Sequence, residues 1–375
     1  MKSYYLFAIV YGLLWTACSH PQIKLSFHGF TNDTLTVCYC PLKDYADLTD
    51  DSDPRIIYDT LVMKNGVIRL LPPTQSSLYV FSINETPDKS IRMVIDPDDH
   101  LQLNIKRTPY GFQHTATGSP MAEGISDYMQ TVLPIDESID SLFLLLKATP
   151  DDAALSQEYN RLFDRRRALS AQWIRTHADN PAAGIALRYA SLDSIPALYA
   201  LLSEEIRHSA LRPLIEERKE NAERYLATTK AGQHIIPGAE APDFTLCDPQ
   251  GQPWSLSQLR GKWVVLDFWG TWCGYCLQGI PAMKKYESQY RDHCTFVSID
   301  CNDSHEDWLA GLKQHAMPWL QLYNPRGISS DKDVSVLYGL KGFPTKFIIH
   351  PEGYIYQIVI GEKPEFYQTL DQLFQ

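Results

Sequence analysis

The chain has 375 residues, a formal net charge of −11 and eight cysteines. That length points to two or three domains, because single cores stop growing near about 250–300 residues. Hydrophobic content of 44% and charged content of 21% describe a globular chain, not a disordered one. The acidic balance leaves no basic stripe for nucleic acid, and eight cysteines are too sparse for a disulfide scaffold. Their placement must carry the message.

The first segment has one basic residue, Lys2, then an apolar run ending at Trp15-Thr16-Ala17-Cys18. That run is about 14 residues, too short for a spanning helix and suited to a signal peptide. It resembles the lipobox of bacterial lipoproteins, with Trp15 where an aliphatic residue is usual. The resemblance implies a signal peptide over 1–17, lipid on Cys18 and a body tethered to a membrane outside the cytosol. Ordinary secretory cleavage and a retained anchor are the alternatives.

Residues 18–117 read as a β domain. Ile23–Phe27, Leu35–Tyr39 and Leu101–Ile105 alternate with a period of two, as strands with one buried face do. Asn65-Gly66, between Thr60–Met63 and Val67–Leu70, predicts a hairpin, since both residues tolerate positive φ. Asp96-Pro97-Asp98-Asp99 predicts a second turn. Short strands with such punctuation suggest an antiparallel β-sandwich.

Residues 118–234 change to helical spacing. Tyr159, Leu162, Phe163, Leu169, Trp173 and Ile174 fall mostly three or four apart, and Asn180-Pro181 breaks the pattern. Arg165-Arg166-Arg167 reads as a solvated helix face rather than a partner-binding patch.

Residues 235–375 alternate between strands and helices. Trp263–Trp269 is a continuous apolar run, suited to a central strand covered on both faces. Thr295–Asp300 is a second, and Lys346–Ile349 and Ile355–Val359 flank a Pro351-Glu352-Gly353 turn. A mixed sheet with helices on both faces follows.

Trp272-Cys273-Gly274-Tyr275-Cys276 follows the first run and opens a predicted helix. Cys273 would meet unsatisfied N–H groups and the positive end of the helix dipole, both of which favour thiolate. Cys276, one turn inside, is expected to be more shielded. The spacing assigns Cys273 as the nucleophile that attacks a substrate disulfide and Cys276 as the residue that resolves the mixed disulfide. A zinc site would need about four ligands and there is no second Cys-x-x-Cys, so no metal is called for, and the two thiols need no cofactor.

Here the chain resembles a thioredoxin-fold member of the TlpA-like thiol–disulfide oxidoreductase family. The resemblance rests on Ala241–Leu246, Leu256–Lys262, Trp269–Cys276 and Gly342-Phe343-Pro344-Thr345, over roughly the last 140 residues. It implies a cis bond before Pro344, with the Phe343 backbone open to a substrate chain, and a buried acid, Asp267, that takes the Cys276 proton. It implies that Pro281 kinks the active-site helix and that Trp272 lies over the disulfide as an apolar lid. Trp272, Gly274, Tyr275, Phe343 and Pro344 are the expected substrate contacts. Two departures stand out. Gly279 occupies a position where many TlpA-like proteins have glutamate. The strand Phe296–Asp300 lacks the lysine that thioredoxins place near the buried acid. The front of the chain resembles, more loosely, a β domain of unknown function that precedes TlpA-like domains in envelope proteins of Bacteroides-type bacteria.

The implied partners are disulfide-containing proteins, with cytochrome c maturation as one setting, and a membrane electron donor for re-reduction. The Gly274-Tyr275 dipeptide supplies no cation to hold a thiolate, which places the couple in the reducing half of the range between thioredoxin and DsbA. A peroxiredoxin-type peroxidase shares the fold, but Leu266 and Gly270 stand where peroxiredoxins have Pro and Thr. A non-enzymatic envelope binding lipoprotein is the remaining class. Of the other cysteines, Cys38 and Cys40 share one strand face and read as buried thiols. Cys294 and Cys301 lie about 23 Å apart along one strand, too far for a disulfide. Cys247 reads as incidental.

Overall fold

The structure is a computed structural model that describes residues 23–30, 34–47, 53–83, 90–109, 111–325 and 327–375. The proposed leader over 1–17 and the lipid site at Cys18 lie outside the described residues. The chain divides into two compact units, Met1–Lys219 and Glu220–Gln375. The strand-rich region 18–117 and most of the helical region 118–234 therefore share one unit, where the sequence reading separates them. Among the described residues no helix is long and apolar enough to cross a membrane.

Among the described residues the first unit holds eight strands. They are β1 (Ile23–His28), β2 (Thr34–Pro41), β3 (Ile57–Val62), β4 (Val67–Leu70), β5 (Ser77–Ile83), β6 (Ser90–Ile95), β7 (Gln102–Thr108) and β8 (Gly111–Thr117). They form two four-stranded sheets, ordered β4-β1-β7-β8 and β3-β2-β5-β6. Two expectations are corrected here. The pairing is not purely antiparallel, because β1 runs parallel to β7. Between β1 and β7 the chain crosses to the second sheet for β2 and β3, comes back for β4 on the other side of β1, crosses again for β5 and β6, and only then returns beside β1; a long connection is what a parallel pair requires.

The Asn65-Gly66 turn forms, with φ of 53° and 69°, and closes one antiparallel pair, Lys64–Val67, with both backbone hydrogen bonds, but the hairpin stops there and its arms part. β3 pairs with β2, whereas β4 pairs with β1. Turn chemistry is local; strand partners are chosen by burial. β3 is an exposed strand, while Ile68 of β4 is buried opposite Leu25.

Helices complete the unit: α1 (Pro120–Ala148), α2 (Ala153–Thr176), α3 (Ala183–Ala186), α4 (Ile195–Leu201), α5 (Glu204–Arg207) and α6 (Arg212–Gly232), the last crossing the division. Asp152 caps α2 by accepting from the N–H groups of Ala154 and Leu155. The three arginines of α2 do not share one solvated face. Arg166 turns inward, 2.6 Å from Asp136 and over the Tyr189 ring, while Arg167 pairs with Asp164 at the surface. The unit also carries two clefts open to solvent, of about 170 and 260 Å³, lined by none of the candidate site residues.

The second unit contains β9 (Thr245–Cys247), β10 (Pro253–Ser255), β11 (Trp263–Trp269), α7 (Gly274–Tyr290), β12 (Cys294–Cys301), α8 (His305–His315), β13 (Leu320–Asn324), α9 (Val334–Leu337), β14 (Thr345–Ile349), β15 (Ile355–Ile360) and α10 (Pro364–Phe374). Its seven-stranded sheet runs β10-β9-β13-β12-β11-β14-β15. β11 lies between parallel β12 and antiparallel β14. Its side chains alternate between two cores. Val264, Leu266 and Phe268 enter one, with Ile299 and Phe347. Val265 and Trp269 enter the other, with Ile280, Met283 and Phe366 from α7 and α10. Both faces are covered, which is why the strand reads as unbroken apolar sequence. Asp267 is the one polar interruption, and period-two alternation puts it on the α7 side.

Candidate functional site

β11 ends at Trp269, and Gly270-Thr271-Trp272 leads into α7. A Cβ on Gly270 would press on the Cys301 carbonyl oxygen at 2.9 Å and on the Trp272 indole, so only glycine fits this approach. Asp303 fixes the loop by accepting from both the N–H and the Oγ1 of Thr271, each at 2.7 Å. Cys273 is the N-cap of α7, and its Sγ accepts from the Cys276 N–H at 3.2 Å. Cys273 and Cys276 form a disulfide with Cα atoms 5.2 Å apart. A thiolate at 273 would gain that backbone donor and the helix dipole. Exposure does not separate the two residues, at 4% and 5%, contrary to the greater shielding expected of Cys276. The asymmetry lies in the cap. Pro281 sits inside α7, two turns further on.

The rim around the disulfide is apolar and open. Trp272 is 53% exposed and Tyr275 69%, with Gly274 exposed between the cysteines. The Phe343–Pro344 peptide is cis; Pro344 is buried and Phe343 half-buried. Trp272 meets the Phe343 ring edge-on at 5.1 Å and donates to the Cys301 carbonyl at 3.0 Å. The indole is thus pinned beside Phe343 with half its surface in solvent, a wall of the rim rather than the lid expected of it. Trp269 is core, at 1% exposure.

On the α7 side of β11 lies a buried charge cluster. Asp267 is opposite Lys346 in the β11–β14 register, and Lys346 Nζ is 3.4 Å from Asp267 Oδ1. This corrects the expectation that the acid lacks a lysine. The cation comes from β14 instead of β12, and a charged residue inside an otherwise apolar strand was its signal. Lys346 Nζ also donates to Glu362 at 2.7 Å, and Tyr367 Oη donates to the same carboxylate. Ser298 donates to Asp267 Oδ2 at 3.1 Å and receives the Trp319 indole N–H at 2.8 Å. Burial alone would pull the Lys346 ammonium down, but Asp267 and Glu362 outweigh it and hold its pKa above the ordinary value. Lys346 and Glu362 are the site residues that motif reading missed.

A second buried acid, Asp300, is the last residue but one of β12. Burial pushes its carboxyl up to about 10, and Asp303 adds to the rise. Burial likewise raises the thiols of Cys294, to about 12, and Cys301. Cys247 is exposed, so the remaining cysteines are not uniformly buried.

Residues 237–358 match the model of the AhpC/TSA family. The thioredoxin-like protein YneN of Bacillus subtilis is 32% identical over 152 residues, which are 39% of this chain and 86% of that protein. The thiol–disulfide oxidoreductase ResA of Bacillus subtilis is 30% identical over 142 residues, 38% of this chain and 76% of that protein. The crystal structure of the thioredoxin domain of a thiol–disulfide oxidoreductase from Bacteroides vulgatus aligns with 38% of this chain and 99% of its own. Its identity is 27% and its TM-score 0.34.

Two outcomes follow from the buried charges. Lys346→Met leaves two carboxylates buried without their cation and lowers stability by about 3–5 kcal/mol in urea unfolding of the oxidised protein; a loss under about 1 kcal/mol contradicts the pairing. Folded Asp300 keeps a proton that the unfolded chain releases above 3.8, so this residue makes stability fall as pH rises from there toward about 10. Asp300→Asn removes that slope, up to about 1.4 kcal/mol per pH unit. Unfolding series at several pH values for both proteins read it, and equal slopes contradict the assignment.

Proposed function

The chain belongs to the TlpA-like thiol–disulfide oxidoreductases of thioredoxin fold, and from that premise we propose that it reduces or isomerises protein disulfides through the Cys273/Cys276 couple. The observation that carries this reading is the placement of Cys273 as N-cap of α7, disulfide-bonded to Cys276 and ringed by open apolar surface.

The reaction runs in two exchanges. The Cys273 thiolate attacks one sulfur of a substrate disulfide; a Cys273–substrate S–S bond forms and the other substrate sulfur leaves as thiolate. Cys276 then gives up its proton, and its thiolate attacks the Cys273 sulfur. The intramolecular disulfide forms, the second substrate sulfur leaves, and both released thiolates take protons. Two electrons pass from the protein dithiol to the substrate. Asp267, on the α7 face of β11, is the base for the Cys276 proton. Trp272, Gly274, Tyr275, Phe343 and Pro344 form the surface against which an extended, apolar substrate segment lies.

The setting is the cell envelope, with Cys18 lipidated after removal of residues 1–17 and a membrane electron donor restoring the dithiol. The apolar run and the Ala17-Cys18 junction support this placement. Cytochrome c maturation is one setting that needs such a reductant.

Mixed-disulfide trapping tests the reading. Cys276→Ser leaves Cys273 able to attack but removes the resolving thiol, so partners accumulate as dithiothreitol-sensitive adducts on gels and in mass spectra. Cys273→Ser traps at least tenfold less, because the thiolate at the cap is gone. A Cys276→Ser protein that traps nothing while Cys273 still alkylates contradicts the proposal. Fast peroxide turnover dependent on Cys273 would move the chain to the peroxidase class.

A further inference from the structure

Gly279 lies one turn beyond Cys276 on the same face of α7. A Cβ built there would overlap the Glu362 carboxylate, whose Cδ is 2.6 Å from it. A side chain at position 279 would have to displace the Glu362 carboxylate, which reaches that space from the turn after β15. That carboxylate also competes for Lys346. The ammonium is 2.7 Å from Glu362 but 3.4 Å from Asp267, and Asp267 Oδ1 has no hydrogen bond among the described residues. Two carboxylates share one buried cation.

We propose that Glu362 is a positioning residue for the Cys276 proton: it fills the ground beside Gly279, draws Lys346 toward itself and leaves Asp267 free to act as base. The inference rests on the oxidoreductase reading above, and it concerns the second exchange. There the Cys276 S–H proton passes to Asp267 as the Cys276–Cys273 bond forms and the Cys273–substrate bond breaks. A base fully neutralised by its own lysine has less affinity for that proton. Drawing the lysine off by a second acid restores it. The titratable groups at the cluster are Asp267 from β11, Lys346 from β14, Glu362 after β15 and Tyr367 from α10. Tyr286 from α7 adjoins them, its ring 4.6 Å from that of Tyr367.

The test follows the titration of Cys276 in the reduced protein by NMR of isotope-labelled cysteine Cβ. Glu362→Gln keeps the shape and the Tyr367 contact but removes a negative charge, so Lys346 recentres on Asp267. The Cys276 midpoint then falls by about one pH unit. The double variant Gly279→Glu with Glu362→Gly moves the carboxylate onto the helix and brings the midpoint back to the wild-type value. A midpoint unmoved in Glu362→Gln overturns the proposal even if that variant melts earlier, since a structural role alone would change stability and not the titration. A shifted midpoint that the folded double variant fails to restore also overturns it. The titration needs no substrate. A protein that shows both shifts but traps no partner contradicts the oxidoreductase reading and leaves the geometry of the acid intact.

Discussion

The cap of α7 is the constraint on which the rest of the site depends. A helix start leaves N–H groups without intrahelical partners, and here the first of them to find a side chain finds sulfur. For Cys273 to sit there, β11 must deliver the chain at one level of the sheet, and the loop must turn within three residues. The apolar run of β11 does the first by being buried on both faces. Gly270 and Asp303 do the second, one by making room for the Cys301 carbonyl and the other by holding both polar atoms of Thr271.

The same covering of β11 makes the Asp267 carboxylate expensive to bury. The fold answers with Lys346 directly across the ladder and then balances that cation with Glu362. A buried pair of this kind adds little net stability relative to apolar packing, but removing one member is strongly destabilising. The cluster is therefore a poor source of net stability, and the proton transfer proposed above is the role that fits a charge arrangement beside α7. Its excess carboxylate distinguishes it from a simple ion pair.

Much of the second unit was legible in sequence because its signals are local. The Cys-x-x-Cys at a strand–helix junction, the apolar run before it and the Pro344 loop each carry their own chemistry in a few residues. Lys346 and Glu362 were not legible. They lie seventy or more residues from the cysteines, and only the packing of the sheet brings them beside α7. In the first unit Asn65-Gly66 gave the turn and its closing pair correctly but not the longer arms, since positive φ says nothing about which sheet each arm joins. The triple arginine misled for a related reason: three neighbours on a helix point in three directions, and Arg166 found Asp136 and Tyr189 inside.

In the proposed mechanism the Cys273/Cys276 couple works as a reducing dithiol, with the helix cap aiding the Cys273 thiolate but no cation between the cysteines to stabilise it further. Equilibration of the protein with defined dithiol–disulfide buffers gives its potential directly. Reference couples run from about −270 mV for thioredoxin to about −120 mV for the oxidant DsbA, and a value more negative than about −170 mV is expected here. A potential above about −170 mV would make the protein an oxidant and contradict the claim.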